Sequence, residues 1–547
     1  MRVLGIGGSV HDFSCCVVVD GEVVAAVEEE RLSRVKYHPL DRISFRQLDL
    51  GAVEYCLELA GLKLTDVDRV VANDLVFPAA LRGLPDVELI NHHLSHAAAS
   101  FLLSPHDEAA ILVIDGFGSM ADDRAETVSY FDGAGSDITL LARQTGTVRR
   151  KNEGQPFRWS NFDHVEDSLG VFYSYVTDLL GFGEYEEGKT MGLAAYGTDE
   201  LAGTLRGLVP LADDGSIRFR ADEREEVRAL VTDRLDRART TKAEFETKAA
   251  IARAAQVVLE HAILRHAELL HEQTGADTLC VSGGVFMNCA ANYHLVKSGP
   301  FRQVFVHGAS GDNGTGIGAA LYGYHRHSGL PRRPTTAPVI YTGRGYSEAE
   351  YLEALERRRQ EVVVRRSSAV AAETAQLLAA RHVVGWFQGG SEFGARALGN
   401  RSILADPRDP GAKDRINAMV KGREAFRPFA PSVLAERQSE YFDLPDFSPY
   451  MCVNARVIGA AEAIPAVVHV DGTARIQTVD RDVNPLYHEL ISEFAALTGV
   501  AVLLNTSFNE REPIVETPDQ AVDCFLRTDM DHLVLGCFIV TKKAGRP

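Results

Sequence analysis

A short apolar run, a glycine turn and a returning β-rich run occur twice near the start of the chain. MRVLGIGGSVHDFSCCVVVDGEVVAAV opens the sequence: one run ends at Gly7-Gly8, and two more meet at Asp20-Gly21, a pair suited to a tight hairpin turn. About a hundred residues later, AAILVIDGFGS, a polar stretch and ETVSYFDGAG repeat the layout, which predicts an internal duplication. Lys242 to Thr274 reads as one long helix with Phe245, Ala249, Ala254, Val257, Ala262 and Leu269 on its buried face. TLCVSGGVFMNCAANYHL then reads as strand, Gly-Gly turn and helix, and QVFVHGASGDNGTGIGAALYGY repeats that order. Such alternation predicts an α/β architecture with ligands at the strand ends.

The stretch GLPRRPTTAPVIYTGRGYS carries Pro331, Pro334 and Pro338 with no apolar period, and predicts a domain boundary near 330–345. The expected domains are 1–335, with two sub-lobes, and 345–547. A length of 547 residues, 45% of them apolar, suits two to four such units. With 57 Lys and Arg against 76 Asp and Glu the net charge is −19, which argues against nucleic acid or an anionic membrane as partner. Eight cysteines without a CxxC pair make no disulfide scaffold, and no apolar run approaches a membrane span. With no leader-like start, the expectation is a soluble, cytoplasmic protein.

Gly183 to Thr190 matches the phosphate-loop pattern GxxxxGK[ST], but SLGVFYSYVTDLLGF before it reads as helix, not strand, and Glu184, Glu186 and Glu187 would face the phosphates. That reading is rejected, leaving Lys189 to meet a phosphate or substrate in another geometry. His92 and His96 are four apart and would share one face of a helix. On spacing alone they serve equally as metal ligands or as capping or core histidines; a metal needs a third ligand, for which Asp312, read as ending a strand, is the candidate. Gly7-Gly8, Asp115-Gly116, Gly283-Gly284 and Gly314 to Gly318 each follow an apolar run, and together they indicate a nucleotide and a cation in a cleft between the sub-lobes. From Arg396 to Arg427, eight basic residues face four acids, a +4 island that leaves the rest of the chain at −23. Lys413 and Arg415 fit a solvated helix face. Arg396 and Arg427 lie beside glycine and proline loops and fit an oxyanion pocket, which Arg475 and the turn Asn505-Thr506-Ser507 would complete.

Together the motifs resemble one family, the O-carbamoyltransferases of antibiotic and nodulation-factor biosynthesis. HDFSCCVVVDGEVVAAVEEERLSR, HHLSHAAASF, EGKTMGLAAYG, GGVFMNCAAN and GDNGTGIGAAL resemble its N-terminal domain; FGARALGNRSILADPR, VKGREAFRPFAPSVL, RIQTV and LNTSFN resemble its C-terminal domain. The resemblance implies a duplicated actin-like ATPase fold followed by a YrdC-like α/β domain. It implies that the second domain makes carbamoyl-adenylate from carbamoyl phosphate and ATP, and that the first transfers the carbamoyl group to a hydroxyl of a small secondary metabolite. By the same resemblance His92, His96 and Asp312 match the ligands of Fe2+ or another divalent metal, with Mg2+ accompanying ATP. His11, paired with Asp12, matches the general base, and Lys36 a basic residue of the transfer site. Asp115, Gly116, Lys189, Gly283, Gly284 and Asn288 fall to the nucleotide, and Arg396, Lys421, Arg427, Arg475, Asn505 and Ser507 to carbamoyl phosphate and ATP.

The sequence departs from the family at Phe508-Asn-Glu-Arg-Glu-Pro-Ile-Val515, which lacks a glycine and is one residue short, and at Ser119, where a Glu is usual. The acceptor would be read by loops around 38–50, 75–90 and 120–165. A tRNA threonylcarbamoyl transferase fused to its adenylate-forming domain is the alternative; it would need a tRNA surface that a −19 chain does not advertise. A sugar-kinase-like phosphotransferase would leave the C-terminal basic cluster without a use.

Overall fold

The structure, a computed structural model, describes residues 1–39, 51–151, 162–335, 337–421, 423–459 and 461–543. Two compact units are present. The first comprises Met1–Glu22, Pro39–Asp49 and Thr65–Thr336; the second comprises Val23–His38, Leu50–Leu64 and Ala337–Pro547.

In the first unit, β1 (Arg2–Gly7) pairs antiparallel with β2 (Ser14–Val19). Asp20 and Gly21 take the positive φ values, 50° and 89°, of the expected tight turn and lead into β3 (Glu22–Glu28). On its other side β1 pairs in parallel with β4 (Arg69–Asn73), and β4 with β5 (Val87–Ile90). The second sheet repeats this plan. β6 (Glu108–Ile114) pairs antiparallel with β8 (Arg124–Ala134), whose edge is extended by the short β7 (Met120–Ala121), then β9 (Asp137–Arg150) and β10 (Phe162–Val165). β6 also pairs in parallel with β11 (Thr278–Ser282), and β11 with β12 (Gln303–Val306). The orders β2-β1-β4-β5 and β8-β6-β11-β12 are the same order with the same directions. The duplicated, actin-like ATPase fold is therefore present.

The helices are exchanged between the two halves. Helix His92–Leu102 follows β5 but packs on β6 and β11 of the other sheet, while helix Thr315–Ser328 follows β12 but packs on β1, β2 and β4. The two helices also pack on each other, and their small residues permit it. A Cβ at Gly318 would lie 1.8 Å from the Ser95 carbonyl oxygen, and one at Gly316 2.7 Å from Ser14 Oγ. Ala97, Ala98 and Ala99 of the first helix are fully buried.

The long helix runs Thr241–Thr274, as the periodicity predicts. Its buried face is the predicted one only in part: Ala249, Ala254 and Ala262 are buried. Phe245 is 38% exposed and meets Tyr196 edge-on, and Val257 and Leu269 are only half-buried. The burial runs through Ile251, Ala255, Leu259, Ile263 and Leu270, because nearly every residue from 249 to 255 is apolar and spacing alone cannot choose a stripe there. Asp312 does not end a strand either: β12 stops at Val306, and Asp312 opens the single turn Asp312–Gly314 that feeds helix Thr315–Ser328.

The second unit holds β13 (Val362–Arg366), β14 (Val384–Phe387), β15 (Arg401–Ala405), β16 (Ala430–Leu434), β17 (Phe442–Asp443), β18 (Asn454–Val457), β19 (Thr473–Arg475), β20 (Gln477–Val479), β21 (Val502–Ser507), β22 (His532–Leu535) and β23 (Phe538–Lys542). Eight of these form a mixed sheet in the order β13-β23-β22-β14-β15-β21-β16-β20, and β17-β18-β19 form a small separate one. Register gathers the chemistry at one end. Phe387 pairs with Arg401, Ser402 with Ser507, Ala430 with Asn505 and Ser432 with Gln477. The loop carrying Arg396, the end of β21 at Ser507, the approach to β16 through Arg427 and the approach to β20 through Arg475 therefore share that end.

Gly318→Val should lower stability by about 3 kcal/mol or more, since the helices have no room to give. Gly203→Ala, in the helix Ala202–Leu208 with open space around it, should cost nothing. Urea midpoints of the two variants test the contrast.

Candidate functional site

The helix His92–Leu102 starts at a cap in which Asn91 Oδ1 accepts the Leu94 N–H and Ser119 Oγ accepts the His92 N–H at 2.8 Å. Its first turn thereby presents His92 and His96 on one face, both fully buried. The exchanged helix opposite brings Asp312, and the end of β6 brings Asp115. His92 Nε2 and His96 Nε2 are 3.2 Å apart, Asp115 Oδ2 is 3.3 Å from each, and Asp312 Oδ1 3.6 Å from each. A tetrahedron of 2.1 Å metal–ligand bonds has edges of about 3.4 Å, so the four atoms have the spacing of a coordination shell.

The surroundings fix the donors. Asn73 Nδ2 donates to the Gly8 carbonyl and to Thr315 Oγ1, so its Oδ1 must accept from His92 Nδ1, at 3.0 Å. Ser282 Oγ donates to the Ser310 carbonyl and accepts from His96 Nδ1. With both Nδ1 atoms protonated, both Nε2 lone pairs converge on the point between the carboxylates. Asp115 Oδ1 accepts from Gly116 N and Gly284 N, which leaves Oδ2 for the cluster. Gly283 makes that approach possible: its φ is 101°, and a Cβ would stand 2.2 Å from the Ile114 carbonyl oxygen.

Two buried carboxylates this close are costly without a cation. Burial opposes a charge on His92, but Asp312 and Asp115 outweigh it and hold the imidazole near 10, so it is protonated at pH 7 in the free chain. Burial opposes the Asp312 and Asp115 charges too, yet the histidines hold both carboxyls below the ordinary range. A divalent ion would take the place of that proton. Two imidazoles and two carboxylates fit such a guest. The set extends the sequence expectation by one residue, because Asp115, assigned there to nucleotide, is a fourth candidate ligand. His93 faces elsewhere, with Nδ1 on Ser129 Oγ, and burial followed by the His92 charge keeps it neutral.

Around this cluster, His11 Nδ1 sits 3.1 Å from Asp12 Oδ2, and the Tyr185 ring meets His11 edge-on at 4.7 Å. Burial opposes the His11 charge, but Asp12, Asp312 and Asp115 raise it to about 9. A neutral imidazole near pH 7 is thus not the state of the metal-free chain. Lys189 follows a turn between the helices Leu169–Leu179 and Glu187–Ala194 and lies 3.5 Å from Glu186, so a phosphate loop is ruled out by the helix before it. Asn288 caps helix Cys289–Ser298 through Ala291 N and binds Gln256. Ser119, unusual for the resemblance, is part of the histidine helix cap, and Glu126, missed in the sequence, supplies a carboxylate beside it by accepting from Asn91, Ser119 and Arg143.

In the second unit Arg427 and Arg475 come together with Arg423. Burial, then Arg427 and Arg475, push the Arg423 guanidinium down to about 9, with Glu424 acting against them. The Arg423 guanidinium also lies over the Phe429 ring, 4.4 Å from its centroid. Asn505 is buried and donates to the Ala397 carbonyl, Ser432 Oγ and Gln477 Oε1, so it braces the Arg396 loop. Ser507 Oγ donates to Asn509. Lys36 lies in Val23–His38 of this second unit. The Lys421 side chain falls outside the described residues, as do 40–50 and 152–161 of the expected acceptor loops. The shortened Phe508–Val515 loop closes through Val515 N–H to the Phe508 carbonyl, and no residue in it has positive φ, so the missing glycine is not required.

A duplicated α/β fold thus converges two histidines and two aspartates on one buried point, a set that could hold a metal ion. Sequence comparison gives the family. The profile described as Carbamoyltransferase N-terminus matches residues 2–78 and 80–321, and that described as Carbamoyltransferase C-terminus matches 375–542. The chain belongs to the carbamoyltransferase family and is an enzyme of that class. It is 35% identical to an uncharacterized protein, sll1178, of Synechocystis, over 99% of this chain and 97% of the relative. Identity to nodulation protein NolNO of Sinorhizobium fredii is 35%, over 98% and 80%. Identity to the 3′-hydroxymethylcephem-O-carbamoyltransferase of Amycolatopsis lactamdurans is 28%, over 91% of each. Among the described residues no helix is long and apolar enough to cross a membrane.

Because His92 near 10 must give up its proton to a metal, adding a divalent ion at pH 7.5 should release protons, and affinity should weaken as pH falls. Asn73→Ala should lower metal affinity by about 10–100-fold. Chelator competition and proton release in weak buffer measure both.

Proposed function

We propose that the chain is an ATP-dependent O-carbamoyltransferase working in two steps. The carrying observation is that its two charge clusters are of opposite kind: carboxylates and imidazoles in the first unit, crowded guanidiniums in the second. The basic cluster suits the anions. Arg396, Arg427 and Arg475, with Arg423 and Lys421, would clamp carbamoyl phosphate and ATP, the latter with Mg2+, in a YrdC-like domain spanning 345–547. Water hydrolyses carbamoyl phosphate to carbamate and phosphate, a carbamate oxygen attacks the α-phosphorus of ATP, and pyrophosphate leaves.

Carbamoyl-adenylate is then used in the 1–335 domain. The glycine loops at Asp115-Gly116 and Gly283-Gly284, with Lys189 and Asn288, hold the nucleotide. His92, His96, Asp115 and Asp312 would hold Fe2+ or another divalent ion. Such an ion supplies positive charge against the adenylate phosphate. His11, oriented by Asp12, takes the proton of the acceptor hydroxyl as oxygen attacks the carbamoyl carbon and AMP departs. A cation on Asp115 and Asp312 offsets part of the negative charge that raises His11, which favours the basic form. Lys36 is assigned to the same step. The acceptor is a hydroxylated small metabolite, and the proposed setting is the cytoplasm.

Arg427→Ala should abolish carbamoyl-phosphate-dependent pyrophosphate release. His92→Ala should retain that release and lose product carbamoylation; the reverse pattern would mean the two sites are swapped. Incubation with ATP, carbamoyl phosphate and a panel of hydroxylated scaffolds, read by mass spectrometry for one added carbamoyl group, tests the overall reaction.

A further inference from the structure

The motif VEEERLSR stands at residues 27–34, and no step above uses it. It belongs to the second unit and forms the short helix Glu29–Ser33 with its flanks. Arg31 is 1% exposed, and its Nη2 donates to the carbonyls of Gly394 at 2.8 Å and Glu392 at 3.3 Å. Glu28 Oε1 accepts the Gly394 N–H, so one residue of the Arg396 loop is gripped at both its backbone donor and its backbone acceptor. From within that loop, Glu392 Oε1 accepts the N–H groups of Leu398, Asn400 and Arg401 at 2.8, 2.6 and 3.0 Å. Arg34 grips the other loop at the same end of the sheet: it donates to the carbonyls of Pro513 at 2.6 Å and Ile514 at 2.7 Å. Tyr55, from the helix Gly51–Leu59, donates to the buried Glu516 at 2.6 Å and accepts the Arg344 N–H.

Burying an arginine to hold loop carbonyls is an expensive way to attach a segment, since apolar packing would serve stability as well. What guanidinium and carboxylate add is fixed direction: they set the backbone of the two loops that lead from β14 to β15 and away from β21. Arg396 sits two residues beyond the gripped Gly394, and Ser507 immediately precedes the loop held by Arg34.

We propose that Glu28, Arg31 and Arg34 are positioning residues for the carbamoyl phosphate half-reaction, so that the C-terminal pocket is completed by side chains from the chain's first forty residues. The inference rests on the function proposed above. None of the three touches substrate in this scheme; each acts through the loop it holds.

The test uses the full chain with Arg34→Ala, Arg34→Lys and Arg31→Lys, following pyrophosphate release against carbamoyl phosphate concentration, thermal unfolding, and amide hydrogen exchange at 389–400 and 508–516. Arg34→Ala should raise the KM for carbamoyl phosphate about tenfold or more, the loss of two charge-assisted bonds, with faster exchange confined to 508–516. Arg34→Lys should recover part of the KM, and Arg31→Lys should raise it with faster exchange at 389–400. Folded variants with wild-type KM and kcat would overturn the inference, as would a fall in kcat that merely tracks the folded fraction. If Arg34→Ala does not fold, the two lysine variants decide by the same criterion. Wild-type protein that releases no pyrophosphate with carbamoyl phosphate would instead overturn the two-step reading.

Discussion

Gly318 against the Ser95 carbonyl, and Gly316 against Ser14, are the contacts on which the first unit depends. They let helices His92–Leu102 and Thr315–Ser328 cross closely enough for each to cover the other half's sheet. The metal-ligand set follows from that crossing. His92 and His96 ride on one helix and Asp312 opens the other, so their spacing is set by the backbone approach at the glycines and not by flexible side chains. The same crossing delivers Thr315 to Asn73, and Asn73 to His92 Nδ1. Packing and tautomer choice are linked through one hydroxyl and one amide.

The two units solve opposite electrostatic problems. The first buries two carboxylates beside a His92 imidazole that they hold charged; in the second, burial and then Arg427 and Arg475 push the Arg423 guanidinium down. The first arrangement suits a cation and the second an anion, as the proposed reaction uses them. Arg423 and Arg427 of the second cluster come from the +4 stretch 396–427 of a chain whose net charge is −19, and Arg475 comes from outside it.

Much of this was legible in sequence where the signal is local. The Asp20-Gly21 turn, the repeated strand–glycine unit and the i, i+4 histidines are all short-range patterns, and each appears in the structure. What escaped is long-range. Nothing near Asp115 says that it shares a point with His92, and Glu126, Asn73 and Arg423 acquire meaning only from residues brought in by the fold. The exchange of helices is invisible to periodicity, because an apolar stripe states that a face is covered but not by which sheet. The buried stripe of Thr241–Thr274 is legible at Ala249, Ala254 and Ala262 but not at Phe245, Val257 and Leu269, because a segment apolar on most sides has no unique moment. The departures at Ser119 and Phe508–Val515 resolve once tertiary partners are known, one as a helix cap and the other as a loop that needs no left-handed residue.

The exchanged helices also make the two halves of the first unit interdependent. The sheet built from β1, β2 and β4 is covered by Thr315–Ser328, which comes from the other half of that unit. Val3, Ile6, Val17 and Val71, on that sheet, are all but inaccessible. A chain cut between the halves would leave this apolar face without its helix, so neither half is a self-sufficient folding unit.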